Sequence, residues 1–232
     1  MLRVEQLSVH YGSFRALDDV SFDVSLTGGL HGVIGPNGAG KSTLMDALTG
    51  RRLPTRGRVY IDGTDVTRKS VQWRRRHGMS RSFQRTSIFP GHTVREQLSL
   101  AASRVFETNV DSIADVMGLR DVYDVCVDSI AYGYQRRVDI ALALLGKPRL
   151  MLLDEPAAGL TGKETVALFE HLTDLVKERN LTAIVVEHDV DAVFRFCNSI
   201  TALDLGRVLL TGAAHEVRRD QRVITAYLGS AA

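Results

Sequence analysis

The chain has 232 residues, 44% of them hydrophobic and 24% charged, with a formal net charge of +2 at pH 7. That balance suits a globular protein with a full apolar core and excludes a general electrostatic attraction to nucleic acid or lipid. No apolar run reaches the roughly 18 residues a membrane-spanning helix needs, and the start, Met1-Leu2-Arg3-Val4-Glu5, has no signal-peptide core. The expectation is a chain that begins in the cytosol and stays there unless a partner holds it at a membrane. Cys126 and Cys197 are too far apart for a CxxC site and read as buried free thiols.

In chain order, the first sixty residues read as short strands. Leu2, Val4, Leu7 and Val9 nearly alternate, as do Val20, Phe22 and Val24. Leu30 to Ile34 is an apolar run that feeds a glycine-rich loop and then a helix from Lys41 to Thr49, ended by Gly50 and kept from resuming by Pro54. Arg58 to Ile61 with Asp62-Gly63 predicts a hairpin. From about Thr93 to Asp128 the spacing turns helical. Leu150 to Leu153 and Thr182 to Val186 read as buried strands. Between them, Thr161-Gly162-Lys163-Glu164 predicts a capping box opening a helix to about Arg179, with Val166, Phe169, Leu172, Leu175 and Val176 as its core stripe. Ile200 to Leu210 reads as a hairpin, and Val223, Ile224, Tyr227 and Leu228 lie on a last helix. The pattern is α/β, with a mainly helical insert near the middle.

Gly35-Pro36-Asn37-Gly38-Ala39-Gly40-Lys41-Ser42 matches the GxxxxGK[ST] P-loop. Glycines let backbone N–H groups converge on phosphate oxygens without side chains in the way, and the following helix aims its positive end at the same anion. Lys41 is suited to the β- and γ-phosphates and the Ser42 hydroxyl to Mg²⁺. A second half of the site follows a buried strand. Asp154 and Glu155 emerge at its carboxyl end, where α/β sheets place their ligands. Asp154 is suited to the Mg²⁺ shell, and Glu155 to polarising an attacking water.

Together with Asp154-Glu155-Pro156, the P-loop resembles the ATP-binding-cassette (ABC) ATPases, and further motifs of that family appear in order over essentially the whole chain. The resemblance implies a P-loop NTPase fold across residues 1–232: a mainly parallel core sheet, an N-terminal antiparallel β part, and a helical subdomain at about 86–148. It implies ATP with Mg²⁺, bound by the P-loop through Thr43. Gln84, in Ser82-Phe83-Gln84-Arg85, resembles the glutamine that approaches Mg²⁺ and links the site to membrane subunits. His188 resembles the histidine that contacts the γ-phosphate, and Tyr11 the aromatic that stacks on adenine. Ala131, Tyr132 and Gly133 sit where the signature loop serves the ATP of a partner cassette, so that two chains sandwich two nucleotides. Glu155-Pro156-Ala157-Ala158-Gly159-Leu160, Glu187-His188-Asp189 and Val223-Ile224-Thr225-Ala226-Tyr227-Leu228-Gly229 look like branched-chain amino-acid importer ATPases.

That resemblance implies two integral membrane permease subunits, a second ABC ATPase subunit and, indirectly, a solute-binding protein, at the cytoplasmic face of a bacterial or archaeal plasma membrane. A urea or amide importer with similar ATPases is the near alternative. The chain departs from the pattern at Ala131, where serine is commonest, at Thr161-Gly162 in the D-loop, and in a short segment between Gln84 and Ile130.

Between Val66 and Arg95 lie Arg68, Lys69, Arg74, Arg75, Arg76, Arg81, Arg85 and Arg95 with no acidic residue. A nucleic-acid-linked ABC-type ATPase is the reading from another class. Against it, base recognition wants interleaved aromatics, and only Trp73 and Phe83 are near. The stretch therefore reads as a solvated face, with no nucleic-acid partner expected.

Overall fold

The computed structural model describes residues 2–24, 28–82, 87–105, 107 and 109–228. Strands β1 (Leu2–Tyr11) and β2 (Phe14–Val24) form an antiparallel pair, and the short β4 (Arg56–Ile61) and β5 (Thr64–Asp65) complete a four-stranded sheet in the order β2-β1-β4-β5. Strand β3 (Gly29–Ile34) leaves that sheet and enters a second one. The inward residues of β1 change parity between Val4 and Leu7, which a regular strand cannot do. Gln6, at φ 46°, supplies the extra residue, and the β1–β2 register shifts between Val4 and Leu7. Leu2, Val4, Leu7 and Val9 are all buried as a result.

The second sheet has six strands in the order β10-β9-β3-β8-β7-β6, formed by β6 (Met79–Ser82), β7 (Leu150–Asp154), β8 (Thr182–Val186), β9 (Ser199–Asp204) and β10 (Arg207–Ala213) around β3. All its pairings are parallel except β9–β10. Helix α1 (Lys41–Thr49) follows β3, and α2 (Val71–Arg76) precedes β6. Between β6 and β7 the described residues are helical or irregular: α3 (Val94–Val105), α4 (Val110–Val116) and α5 (Tyr132–Leu144). Then α6 (Gly162–Glu178) and α7 (Val190–Phe196) alternate with the strands, and α8 (Ala214–Val217) and α9 (Gln221–Leu228) follow β10.

Strand β7 is apolar without alternation because both of its faces are buried. Leu150 and Leu152 join α1 and the four-stranded sheet in one core, while Met151 and Leu153 join α3 to α7 in the other. The predicted capping box is present at Thr161 and Glu164, so α6 starts where expected. Its buried stripe is Thr165, Leu168, Phe169, Leu172, Leu175 and Val176, with Val166 only half-buried. Phe169 stacks on Phe196 of α7 with ring centroids 5.4 Å apart. Cys197 is buried, and burial pushes its thiol up to about 12, whereas Cys126 is half-exposed and departs from the expectation.

The basic stretch is a solvated face only in part: of its described cations, Arg74, Arg75 and Arg81 turn inward. Arg74 is 1% exposed and donates to the carbonyls of Ala47, Leu48, Val66, Thr67 and Lys69, capping the last turn of α1 from inside. Arg75 donates to the Leu145 carbonyl, and Arg81 reaches Asp46 and Asp154. The other described cations of this stretch, Arg68, Lys69, Arg76 and Arg95, are exposed, and Arg95 is paired with Asp124. Arg85 lies outside the described residues. Cations that are spent on internal carbonyls and carboxylates are unavailable to a polyanion.

Candidate nucleotide site

Strand β3 delivers Gly35 to the end of the six-stranded sheet, and the loop from Gly35 to Gly40 turns the chain into α1. Gly40, at φ 100°, is the N-cap of α1 and offers no side chain to satisfy the first-turn N–H groups, and no acidic residue stands in that turn. The helix N-terminus is thus open to an anion. A Cβ on Gly40 would lie 2.6 Å from the Ala16 carbonyl and 2.8 Å from Leu17 Cδ2, so only glycine lets the loop lie this close to β2. Lys41 folds back along its own loop, with Nζ donating to the carbonyls of Gly35 at 2.5 Å and Pro36 at 3.1 Å. Burial pulls its pKa below the ordinary lysine value, opposed by the carboxylates of Glu155 and Asp154.

The loop walls a cavity of about 270 Å³ lined by Phe14, Ala16, Asn37, Gly38, Ala39, Gly40, Lys41, Ser42, Thr43, Glu155 and His188. Nine of these are residues the sequence singles out. Gly35 and Pro36 support the loop from behind through Lys41. Tyr11 is 45% exposed, has the Arg52 guanidinium 4.3 Å from its ring centroid, and does not line the cavity. Phe14, its partner across the β1–β2 hairpin and 63% exposed, lines the cavity instead. Ala131, Tyr132 and Gly133 open α5 and are not on the cavity wall; Ala131 and Tyr132 are exposed. Gln84 lies outside the described residues.

The opposite wall is the turn after β7. Glu155 has φ 48°, a left-handed conformation that costs a residue with a Cβ roughly 1–2 kcal/mol and persists only where the surroundings impose it. Several groups do so. The Glu155 amide donates to the Val186 carbonyl at 2.8 Å. Arg136, from α5 and 0% exposed, donates to the carbonyls of Asp154, Glu155 and Pro156. Glu187, buried at the end of β8, accepts from the amides of Ala157 at 2.6 Å and His188 at 3.1 Å. Burial raises the Glu187 pKa above the usual carboxylate range, although both amides act to lower it.

So held, Glu155 places Oε1 2.8 Å from His188 Nε2 at the cavity mouth. Asp154 stands behind, its Oδ2 2.7 Å from the Arg81 guanidinium, which also reaches Asp46 of α1 at 2.6 Å. Phe14, Arg81 and Arg136 were not singled out as site residues from the sequence; the two arginines are recognisable only once β6 and α5 are seen beside β7.

A mainly parallel sheet, an open helix N-terminus behind a glycine loop and a carboxylate facing it, with a second carboxylate behind, define a P-loop nucleotide-binding protein. The ABC transporter family model matches residues 17–158, and a branched-chain amino acid ATP-binding cassette transporter model matches residues 207–232. The chain is 32% identical to the high-affinity branched-chain amino acid transport ATP-binding protein BraF of Pseudomonas aeruginosa, covering 100% of this chain and 98% of that protein. Among solved structures it is similar to the ADP conformation of MJ1267, an ATP-binding cassette of an ABC transporter. There the TM-score is 0.88 at 28% identity, over 99% of this chain and 98% of that one. A dimeric post-hydrolysis state of the cassette MJ0796, bound to ADP and Pi, is similar with a TM-score of 0.77 at 25% identity, over 92% of this chain and 99% of that one. The chain belongs to the ABC transporter ATP-binding family, and its reaction is ATP hydrolysis coupled to transport.

Proposed function

We propose that the chain is the ATP-hydrolysing subunit of an importer for branched-chain or other hydrophobic amino acids, working at the cytoplasmic face of the plasma membrane. The match of residues 207–232 to the branched-chain cassette model supports the substrate class, as does the full-length similarity to BraF. No helix among the described residues is long and apolar enough to cross a membrane, and the reading places the path for the solute in permease subunits. We read residues 1–232 as one ABC ATPase domain, with its helical subdomain at about 86–148. Two permease subunits, a second cassette and a solute-binding protein complete the assembly.

The observation that carries the catalytic reading is the Glu155–His188 hydrogen bond across from the P-loop. The first-turn amides of α1 and the Lys41 ammonium hold the phosphates. Glu155 takes a proton from the attacking water, and His188 orients that carboxylate and meets the γ-phosphate. Ala131, Tyr132 and Gly133, at the exposed start of α5, serve the nucleotide of the partner cassette.

Mg²⁺ fits the donor set. No cluster of three acidic, histidine or cysteine ligands exists among the described residues, while the Ser42 hydroxyl lines the phosphate cavity and the Asp154 carboxylate, paired with Arg81, stands behind Glu155 as a second hard-oxygen donor. Such an ion is held by one or two protein oxygens plus phosphates, and it supplies charge neutralisation of the phosphate oxygens.

Two measurements test this. Lys41→Ala should weaken ATP binding by roughly two orders of magnitude in a fluorescent-nucleotide titration; unchanged affinity would remove the P-loop from the site. Affinity purification from native membranes should recover two multi-span proteins, a second cassette and a protein that binds leucine, isoleucine or valine. Recovery of a solute-binding protein that takes urea or amides instead would reassign the substrate.

A further inference from the structure

Arg136 is a buried cation near the cavity that the nucleotide chemistry leaves unused, and its surroundings define what it does. Its guanidinium donates to three successive carbonyls: Asp154 at 3.1 Å, Glu155 at 2.7 Å and Pro156 at 2.8 Å. In a strand, successive carbonyls point to opposite sides. Three in a row can converge on one planar fork only if the chain is turned, and the turn required is the one that puts Glu155 at φ 48°. The residue is 0% exposed, and Asp139, one helical turn along α5, has Oδ2 3.6 Å from Nη1. Asp139 is itself 4% exposed and accepts the Ser87 amide at 2.9 Å.

We propose that Arg136 and Asp139 are positioning residues that make the reactive pose of Glu155 depend on the placement of α5. Arg136 lies five residues, about 7.5 Å of helix, from Ala131 at the start of that helix. A displacement of α5 therefore moves the guanidinium and the three carbonyls together. A cavity of about 280 Å³ between Asp139, Leu142 and Ala143 of α5 and Ser80 and Arg81 of β6 leaves α5 room to shift against the sheet. The inference rests on the reading of Glu155 as the base and of the α5 N-terminus as the face toward the partner's nucleotide. Joined to it, one buried arginine ties the nucleotide held by the partner to the carboxylate of this chain's own site.

The test uses the full-length protein and three variants: Arg136→Lys, Asp139→Asn and Glu155→Gln. Lysine keeps charge and bulk but concentrates its donors on one nitrogen, so it cannot span three carbonyls. Asparagine keeps an acceptor for Ser87 but loses the charge that steadies the guanidinium. We expect kcat to fall ~100-fold in Arg136→Lys and ~5-fold in Asp139→Asn, as for a misplaced catalytic group, with nucleotide Kd near wild type and the thermal midpoint lowered in Arg136→Lys but above the assay temperature. The ATP-dependent dimer should still form when Arg136→Lys is combined with Glu155→Gln. If kcat stays within twofold of wild type in the folded variants, the proposal is overturned. It is equally overturned if kcat and nucleotide affinity fall together, since that marks a general structural role. Should Arg136→Lys fail to fold, Asp139→Asn decides on the same criteria. Full turnover by Glu155→Gln would instead remove the base reading, and the positioning inference with it.

Discussion

The two walls of the nucleotide cavity are built in different ways. The P-loop wall is local in sequence: residues 35–43 carry the glycines, the lysine and the helix start in one stretch. The Glu155 wall is borrowed. Its turn is held by Arg136 from 19 residues upstream and by Glu187 from beyond β8, and left alone a glutamate would avoid φ 48°. A local wall can be read and copied as a motif. A borrowed wall is only as good as the packing of helices around it.

The sharpest way to separate the walls is Glu155→Gln. Turnover should fall by about 10²–10⁴-fold while ATP affinity stays within a few-fold, because the P-loop wall holds the phosphates and the amide fills the carboxylate's place in the other wall. Steady-state kinetics beside an equilibrium titration decides this; a loss of both together would merge the walls into one unit. Next in size is the P-loop itself. Gly40→Ala should lower stability by about 2–4 kcal/mol, from the clash with Ala16 and Leu17 and from φ 100°. Gly38→Ala, with φ 81° but nothing within 4 Å, should cost only about 1–2 kcal/mol. Urea unfolding of the pair distinguishes strain from clash, and equal losses would show that the close approach to β2 does not matter.

A third comparison uses pH. His31 sits on β3 behind the P-loop, its ring nitrogens paired with Ser199 at 2.7 Å and Thr201 at 2.9 Å. Burial lowers its pKa from 6.5 to about 4. The unfolded chain therefore binds a proton below pH 6.5 that the folded chain refuses until about pH 4. His31 costs nothing above pH 6.5, and stability is lost as pH falls, by roughly 3 kcal/mol in all by about pH 4. Unfolding free energies at pH 7 and pH 5 should differ in wild type by more than in His31→Asn; equal slopes would refute the assignment. The smallest effect belongs to a wholly local device: Thr161→Ala should cost about 1 kcal/mol by removing the capping box of α6.

These cases explain what could be read in advance. The P-loop, β7 with its two carboxylates, the capping box and the hairpin at Asp62-Gly63 depend on neighbours in the chain, and the structure has them where the residue pattern puts them. Gln6 is harder to see: the parity change between Val4 and Leu7 is visible in the residues, but not the bulge that absorbs it. The arginines mislead most. Arg74, Arg81 and Arg136 look solvated by composition, and only the tertiary fold supplies the carbonyls and carboxylates that justify burying them. Phe14 and Tyr11 are both aromatics at one hairpin end, and the residue pattern does not say which ring reaches the cavity; Phe14 does, while Tyr11 has the Arg52 guanidinium over its ring.

The order of the strands has a consequence for how the protein comes into being. Strand β3, which launches the P-loop, is hydrogen-bonded to β8 and β9, about 150–170 residues later in the chain. During synthesis the loop motif emerges early, yet it has no sheet to stand on until the ribosome has passed Asp204. For most of its translation this chain therefore carries a complete phosphate-binding signature without the two strands that flank β3 in the finished sheet.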